Sequence, residues 1–102
     1  MPNPITFFVG FTDEALGDLR EIRKFDQQRI IGEIEARLTY QPLVETRNRK
    51  PLEPNPLATW ELRVDPYCIF YDVDTVGVRV SIIAVGRKVG GRLFVHGEEL
   101  DL

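Results

Sequence analysis

Arg63, Arg87, Lys88 and Arg92 stand at or near the ends of strand-like runs in and just after residues 59–88, and His96 follows shortly behind them. These residue types suit work on a phosphodiester. Arginine offers phosphate a planar fork that donates two hydrogen bonds, lysine offers a point charge, and histidine has the side-chain pKa nearest neutrality for general acid or base work. Arg47, Arg49 and Lys50 form a second cationic group, placed to meet nucleic-acid phosphates through charge alone. A lone surface arginine or tail histidine is ordinarily just a solvated side chain, so only convergence at one sheet edge makes these residues a site. Cys68 is either a thiol activated by Arg63 or, as strand cysteines usually are, a small packed apolar residue. His96, Glu98 and Glu99 fall short of a metal-ligand set, so no metal and no cofactor is expected.

The elements that must position these groups are bounded by composition. With 102 residues, 43% of them hydrophobic and 28% charged, the chain reads as one globular domain over residues 1–102. One cysteine excludes an internal disulfide framework, and no apolar run is long enough for a signal peptide or a membrane span, so a cytoplasmic protein with no membrane partner is expected. The net charge of -3 conceals an asymmetry. Residues 1–46 carry five basic and eight acidic side chains, residues 47–92 eight basic and five acidic, and the last ten only acids, Glu98, Glu99 and Asp101. A local basic face is thus compatible with an acidic whole.

Residues 5–11 read as a short strand behind Pro2 and Pro4, and Thr12 as the cap of a helix with Asp13 and Glu14 in its first turn. Asp26 is expected to cap a second helix whose Ile30, Ile31, Ile34 and Leu38 make an apolar stripe; Gly17 and Gly32 are expected to permit close packing. Residues 41–58, with four prolines, read as a long connection. Three strands then follow. Trp60, Leu62 and Val64 alternate with Glu61 and Arg63; Tyr67, Ile69, Tyr71 and Val73 alternate with Cys68, Phe70 and Asp72; residues 78–85 form a central strand running into Gly86-Arg87-Lys88. Leu93-Phe94-Val95 starts a short last strand or tail. The order predicts an α+β fold: an N-terminal strand, an antiparallel helical hairpin, a three-stranded antiparallel meander and a short C-terminal strand or tail. The hairpin should cover the face with Trp60, Leu62, Tyr67, Ile69 and Tyr71, leaving Glu61, Arg63 and Cys68 on an open face.

The runs Arg-Asn-Arg-Lys-Pro-Leu, Trp-Glu-Leu-Arg-Val, Tyr-Cys-Ile-Phe-Tyr-Asp-Val-Asp and Ile-Ala-Val-Gly-Arg-Lys together resemble the RelE/ParE toxin superfamily of bacterial toxin–antitoxin systems over nearly the whole chain. The resemblance implies a toxin neutralised by a small antitoxin protein, in a toxin–antitoxin hetero-oligomer. Members of the superfamily either cut mRNA at the ribosome, halting translation, or poison DNA gyrase. For the RelE-type mRNA interferase, an endoribonuclease, the resemblance carries Arg63 onto a basic position of the second strand and Arg87 and Lys88 onto the basic pair at a strand exit. His96 would then serve as acid or base, and Arg47, Arg49, Lys50 and Arg92 would hold RNA. Three positions depart: Cys68 replaces an arginine beside the hairpin tyrosine, Glu61 a basic residue, and Phe94 a tyrosine. Ribosome-dependent mRNA cleavage is the leading expectation; a ParE-like gyrase inhibitor without catalysis, which the departures favour, and a non-toxic interaction module are the alternatives.

Overall fold

A computed structural model describes residues 5–102, so Pro2 and Pro4 lie outside the described residues. The chain runs β1 (Phe8–Phe11), α1 (Asp13–Arg20), α2 (Lys24–Leu38), β2 (Arg49–Pro51), β3 (Trp60–Val64), β4 (Tyr67–Asp74), β5 (Arg79–Val89), β6 (Arg92–Val95) and β7 (Glu98–Leu100). Strands β2 to β7 lie side by side in sequence order and pair antiparallel, while β1 pairs parallel with β5. The expected α+β order with its central meander is present. No helix among the described residues is long and apolar enough to cross a membrane.

Strand β5 organises the sheet. β4 occupies one of its edges, and β1 and β6 share the other, β1 beside Arg79 to Ile82 and β6 beside Arg87 to Val89. Side chains fill the gap between them. Thr12 Oγ1 donates to the Ile83 carbonyl at 3.0 Å, and Asp18 Oδ2 accepts the Val85 N–H at 2.9 Å. Thr12 also caps α1 as expected, accepting the Ala15 N–H at 3.1 Å. One hydroxyl and one carboxylate thereby satisfy backbone groups that would otherwise lack a ladder partner.

Each sheet face has its own core. On the helix side, Ala15, Leu19, Ile30, Ile34 and Leu38 pack on Leu62, Val64, Ile69, Tyr71, Val80 and Ile82, as the two periodicities predict. Full burial of each large aliphatic side chain contributes roughly 1.5–3 kcal/mol. The opposite face is not open. Cys68, Phe70 and Ala84 are covered there by Ala58, Leu93 and Val95, with Leu52, Leu57 and Leu100 around them. Alternation assigned the residues to this face correctly, but the elements that cover it were not visible in the sequence.

Those elements come from three corrections. β5 continues through Gly86, Arg87 and Lys88 to Val89 instead of ending before them. Gly90 and Gly91, at φ +58° and +79°, then turn the chain into β6, and His96 and Gly97, at +54° and +79°, turn it again into β7. Two-residue turns with positive φ at both positions match the twist of the strands they join. The single C-terminal strand or tail is therefore a hairpin, and His96 is a turn residue. The 41–58 connection also contains β2, which pairs with β3. Helix α2 starts at Lys24 behind Arg23, so Asp26 lies inside its first turn, not at its cap. Added side-chain carbons at Gly17 or Gly32 would meet no neighbour, so neither glycine is needed for close packing.

Candidate functional site

Successive side chains of a strand point to opposite faces, and β5 applies this to Arg87 and Lys88. Arg87 shares the helix-side face with Tyr67, its guanidinium 5.9 Å from that ring's centre and its backbone opposite Phe94. It lines a cleft of about 1010 Å³ with Asp18, Arg23, Asp26, Tyr67 and His96. Lys88 lies on the other face, in a hollow of about 350 Å³ with Lys50, Glu61, Arg92 and Glu99. Arg63 pairs with Cys68 across β3 and β4, which places it on the Lys88 face. The candidate catalytic set is thus divided: Arg63 and Lys88 on one face, Arg87 and His96 on the other.

The helix-side cleft is built around two carboxylates that sequence reasoning missed as site groups. Asp26, nearly buried, accepts from Arg23 Nε at 2.8 Å and from the Tyr67 hydroxyl at 2.9 Å, with Arg29 3.6 Å away. The hydrogen bond from Arg23 holds the Asp26 carboxyl below the usual carboxylate range against the opposing effect of burial, and the Tyr67 bond adds to it. Burial, then the Asp26 carboxylate, pushes the Tyr67 hydroxyl up. Asp18, besides holding Val85, lies 3.0 Å from His96 Nε2. His96 therefore joins the C-terminal hairpin to α1. Its imidazole faces a carboxylate; of the expected phosphate-holding cations only Arg87 shares its cleft, and Arg63 and Lys88 are on the other face.

The other face collects cations from β2, β3 and β5, Arg92 of β6 stands opposite Val89 on the Phe94 face, and most of these cations are engaged. Lys50 Nζ is 3.8 Å from Glu61, Arg63 Nε 3.8 Å from Asp65, and Arg92 grips Glu99 through Nη2 at 2.8 Å and Nε at 3.0 Å. Lys88 has no ion-pair partner among the described residues. Glu61 is buried beside Cys68. Burial first, and then Glu61, raises the Cys68 thiol to about 12, outweighing the opposite pull of Lys88 and Arg63. The packed reading of this cysteine holds. Strand alternation signalled Glu61 on this face; its burial was hidden because the covering hairpin was.

Arg49 needs a different assignment from nucleic-acid binding. It is 4% exposed, and its guanidinium donates to the carbonyls of Val44 at 2.5 Å and Arg37 at 2.7 Å. The side chain ties the 41–58 segment to the end of α2. Arg47, by contrast, is exposed in the turn closed by Thr46 and Arg49. Tyr71, expected in the core, is fully buried, donates to the Pro42 carbonyl at 2.6 Å and stacks with Trp60 at 6.2 Å. Burial raises its hydroxyl pKa.

Two helices packed on one face of a largely antiparallel sheet, with β1 returning parallel to the central strand, define the α+β fold of the RelE/ParE-type toxins. The sequence matches the family described as the ParE toxin of the type II toxin-antitoxin system, parDE, over residues 9–88, and the chain belongs to that family. Among solved structures it is similar to that of the toxin-antitoxin complex RelBE2 from Mycobacterium tuberculosis. There the TM-score is 0.72 at 24% identity, covering 86% of this chain and 98% of the other. That likeness is one of fold. No curated protein matches the sequence.

Proposed function

We propose that this toxin acts by binding its target without cleaving RNA, with DNA gyrase as that target, and that a cognate small antitoxin neutralises it. The observation that carries this reading is the division of the candidate catalytic set between two sheet faces. Cleavage by a 2′-hydroxyl requires base, acid and phosphate-holding cations to meet at one phosphodiester. Arg63 and Lys88 are separated from Arg87 and His96 by the sheet itself, and His96 already faces Asp18. Family membership supports the toxin role, and the toxin–antitoxin complex of the structural neighbour supports an antitoxin partner.

The test is conditional expression in bacteria with thymidine and amino-acid incorporation followed over the first minutes, paired with a gyrase supercoiling assay on purified protein. DNA synthesis falls first and supercoiling is inhibited on this reading. Early loss of translation with continuing DNA synthesis sinks it. That second outcome belongs to ribosome-dependent mRNA cleavage, which one observation favours: Lys50, Arg63 and Lys88 share the sheet face of the buried Glu61. Co-purification with the product of an adjacent small reading frame tests the antitoxin.

A further inference from the structure

Among the described residues β1, β2 and β7 each pair on one side only. β2 and β7 carry devices that keep a free edge from recruiting another strand, being three residues long and charged, Arg49-Lys50-Pro51 and Glu98-Glu99-Leu100. β1 carries no charge and no proline, since it reads Phe-Val-Gly-Phe. The N–H groups of Phe8 and Thr12 donate to the Val78 and Ile82 carbonyls at 2.9 and 3.0 Å, so alternation turns the backbone groups of Val9 and Phe11 away from β5. Along this outer edge lies an apolar groove of about 370 Å³, lined by Phe7, Phe8, Val9, Phe11 and, from α2, Ile31 and Ile34. Phe8 is 65% exposed.

We propose that β1 is a homodimerisation edge, at which two copies of the chain join β1 to β1, antiparallel, about a two-fold axis at Gly10. The length of the free edge selects this occupant. At one end the Phe7 N–H is already given to the Thr39 carbonyl at 2.7 Å, and at the other the chain leaves for α1 at Asp13. An incoming strand therefore has residues 9–11 to pair with, too few to reward a long extended peptide but the stretch a second β1 offers. Antiparallel pairing about Gly10 joins Val9 and Phe11 of one copy to Phe11 and Val9 of the other through four N–H to carbonyl bonds, and sets an aromatic beside a β-branched side chain. At the centre, where the two backbones approach most closely, each copy presents a glycine. The Phe8 ring on that face, 3.6 Å from where a Gly10 β-carbon would stand, can extend over the glycine pair. Such a contact is isologous, so it closes as a dimer. It uses none of the residues of the candidate site and stands separately from the proposed target.

The test is sedimentation velocity of the full chain. An interface this small is weak, and a reversible shift from monomer towards dimer is expected between about 10 and 500 μM. Gly10→Lys suits the single chain, because Gly10 does not have positive φ and an added β-carbon would meet only the Phe8 ring, at 3.6 Å. Across the axis it sets like charges face to face, so Gly10→Lys and Gly10→Glu should each weaken association at least about tenfold. Mixed one to one, the two variants should recover an affinity within about threefold of the parent, because position 10 faces itself. Gly17→Lys, in the helix-side cleft, makes the same charge change and should stay within about twofold of the parent. Phe8→Ser removes an exposed ring and should weaken association at least about threefold, which keeps the test open if the position-10 variants fail to fold on thermal melting. A loss confined to the β1 variants with recovery in the mixture supports the proposal. A parent that stays monomeric over the whole range, an equal loss in Gly17→Lys, unchanged association of Phe8→Ser, or a mixture no tighter than its components overturns it, the first of these leaving the edge to a partner of different sequence.

Discussion

Arg87 and Lys88 are consecutive in β5 and project from opposite faces of the sheet, Arg87 over Tyr67 and Lys88 into the hollow with Glu61. Two cations that grip one phosphate are energetically coupled. Groups on opposite faces with no shared partner add independently. Growth-arrest potency of Arg87→Ala, Lys88→Ala and the double variant should therefore show a coupling below about 0.5 kcal/mol. A clearly non-additive double variant would place both side chains at one target group and revive a convergent site.

Arg49 and Arg47 are two positions apart and carry opposite expectations. Replacing Arg49 by Met leaves the Val44 and Arg37 carbonyls without their donor and should destabilise the fold by about 2–4 kcal/mol, read as a lower urea midpoint. Arg47→Ala, at an exposed turn, should stay within about 0.5 kcal/mol. Similar midpoints for the two variants would refute the structural role of Arg49.

The contrast shows what a sequence can and cannot reveal here. Period-two alternation from Trp60 to Val73 and the helical stripe of Ile30, Ile34 and Leu38 were legible because each periodicity reports directly which side chains are buried. Arg49 was illegible, since a buried arginine and a solvated one look alike until the carbonyls around it are placed. Lys88 and Arg87 were read as one basic exit because Gly86 looked like the end of a strand. In fact it is the residue that lets β6 approach. His96 looked like tail because a turn with positive φ at a histidine leaves little trace beyond the glycine that follows it.

Cys68 should be chemically silent in the folded protein. With its thiol raised to about 12, the thiolate fraction at pH 8 is roughly one in ten thousand. Iodoacetamide labelling of the native chain should run about a thousandfold slower than in denaturant. Rapid native labelling at pH 8 would show that the β6–β7 cover opens readily or that Cys68 is not packed as described.

Asp26 sets an acid limit on stability. Its folded pKa is depressed below the ordinary 3.8, so its contribution is present above that value and disappears as pH falls through the folded pKa. Asp26→Asn should be less stable than the parent at neutral pH and should lose less stability on acidification below about pH 4. Tyr67→Phe removes one of the two short bonds to the carboxylate and should cost about 1 kcal/mol. Parallel stability curves for parent and Asp26→Asn down to pH 2 would refute the assignment.

Gly86 controls whether the C-terminal hairpin can close on the sheet. A β-carbon added there would stand 2.8 Å from Val95 Cγ2, 3.0 Å from the Phe94 carbonyl oxygen and 3.2 Å from Leu93 Cδ1. The leucine and valine tips can rotate, but the Phe94 oxygen belongs to the β6 backbone and moves only if the strand moves. Gly86→Ala should therefore destabilise by about 1–3 kcal/mol and lower Tm by roughly 4–8 °C for each of those kilocalories. The damage should be local to β6 and β7. Cys68 beneath them should label faster, while the Asp26-dependent acid response on the helix side is retained. An unchanged Tm with unchanged Cys68 labelling would mean that β6 does not approach Gly86 as closely as these distances require.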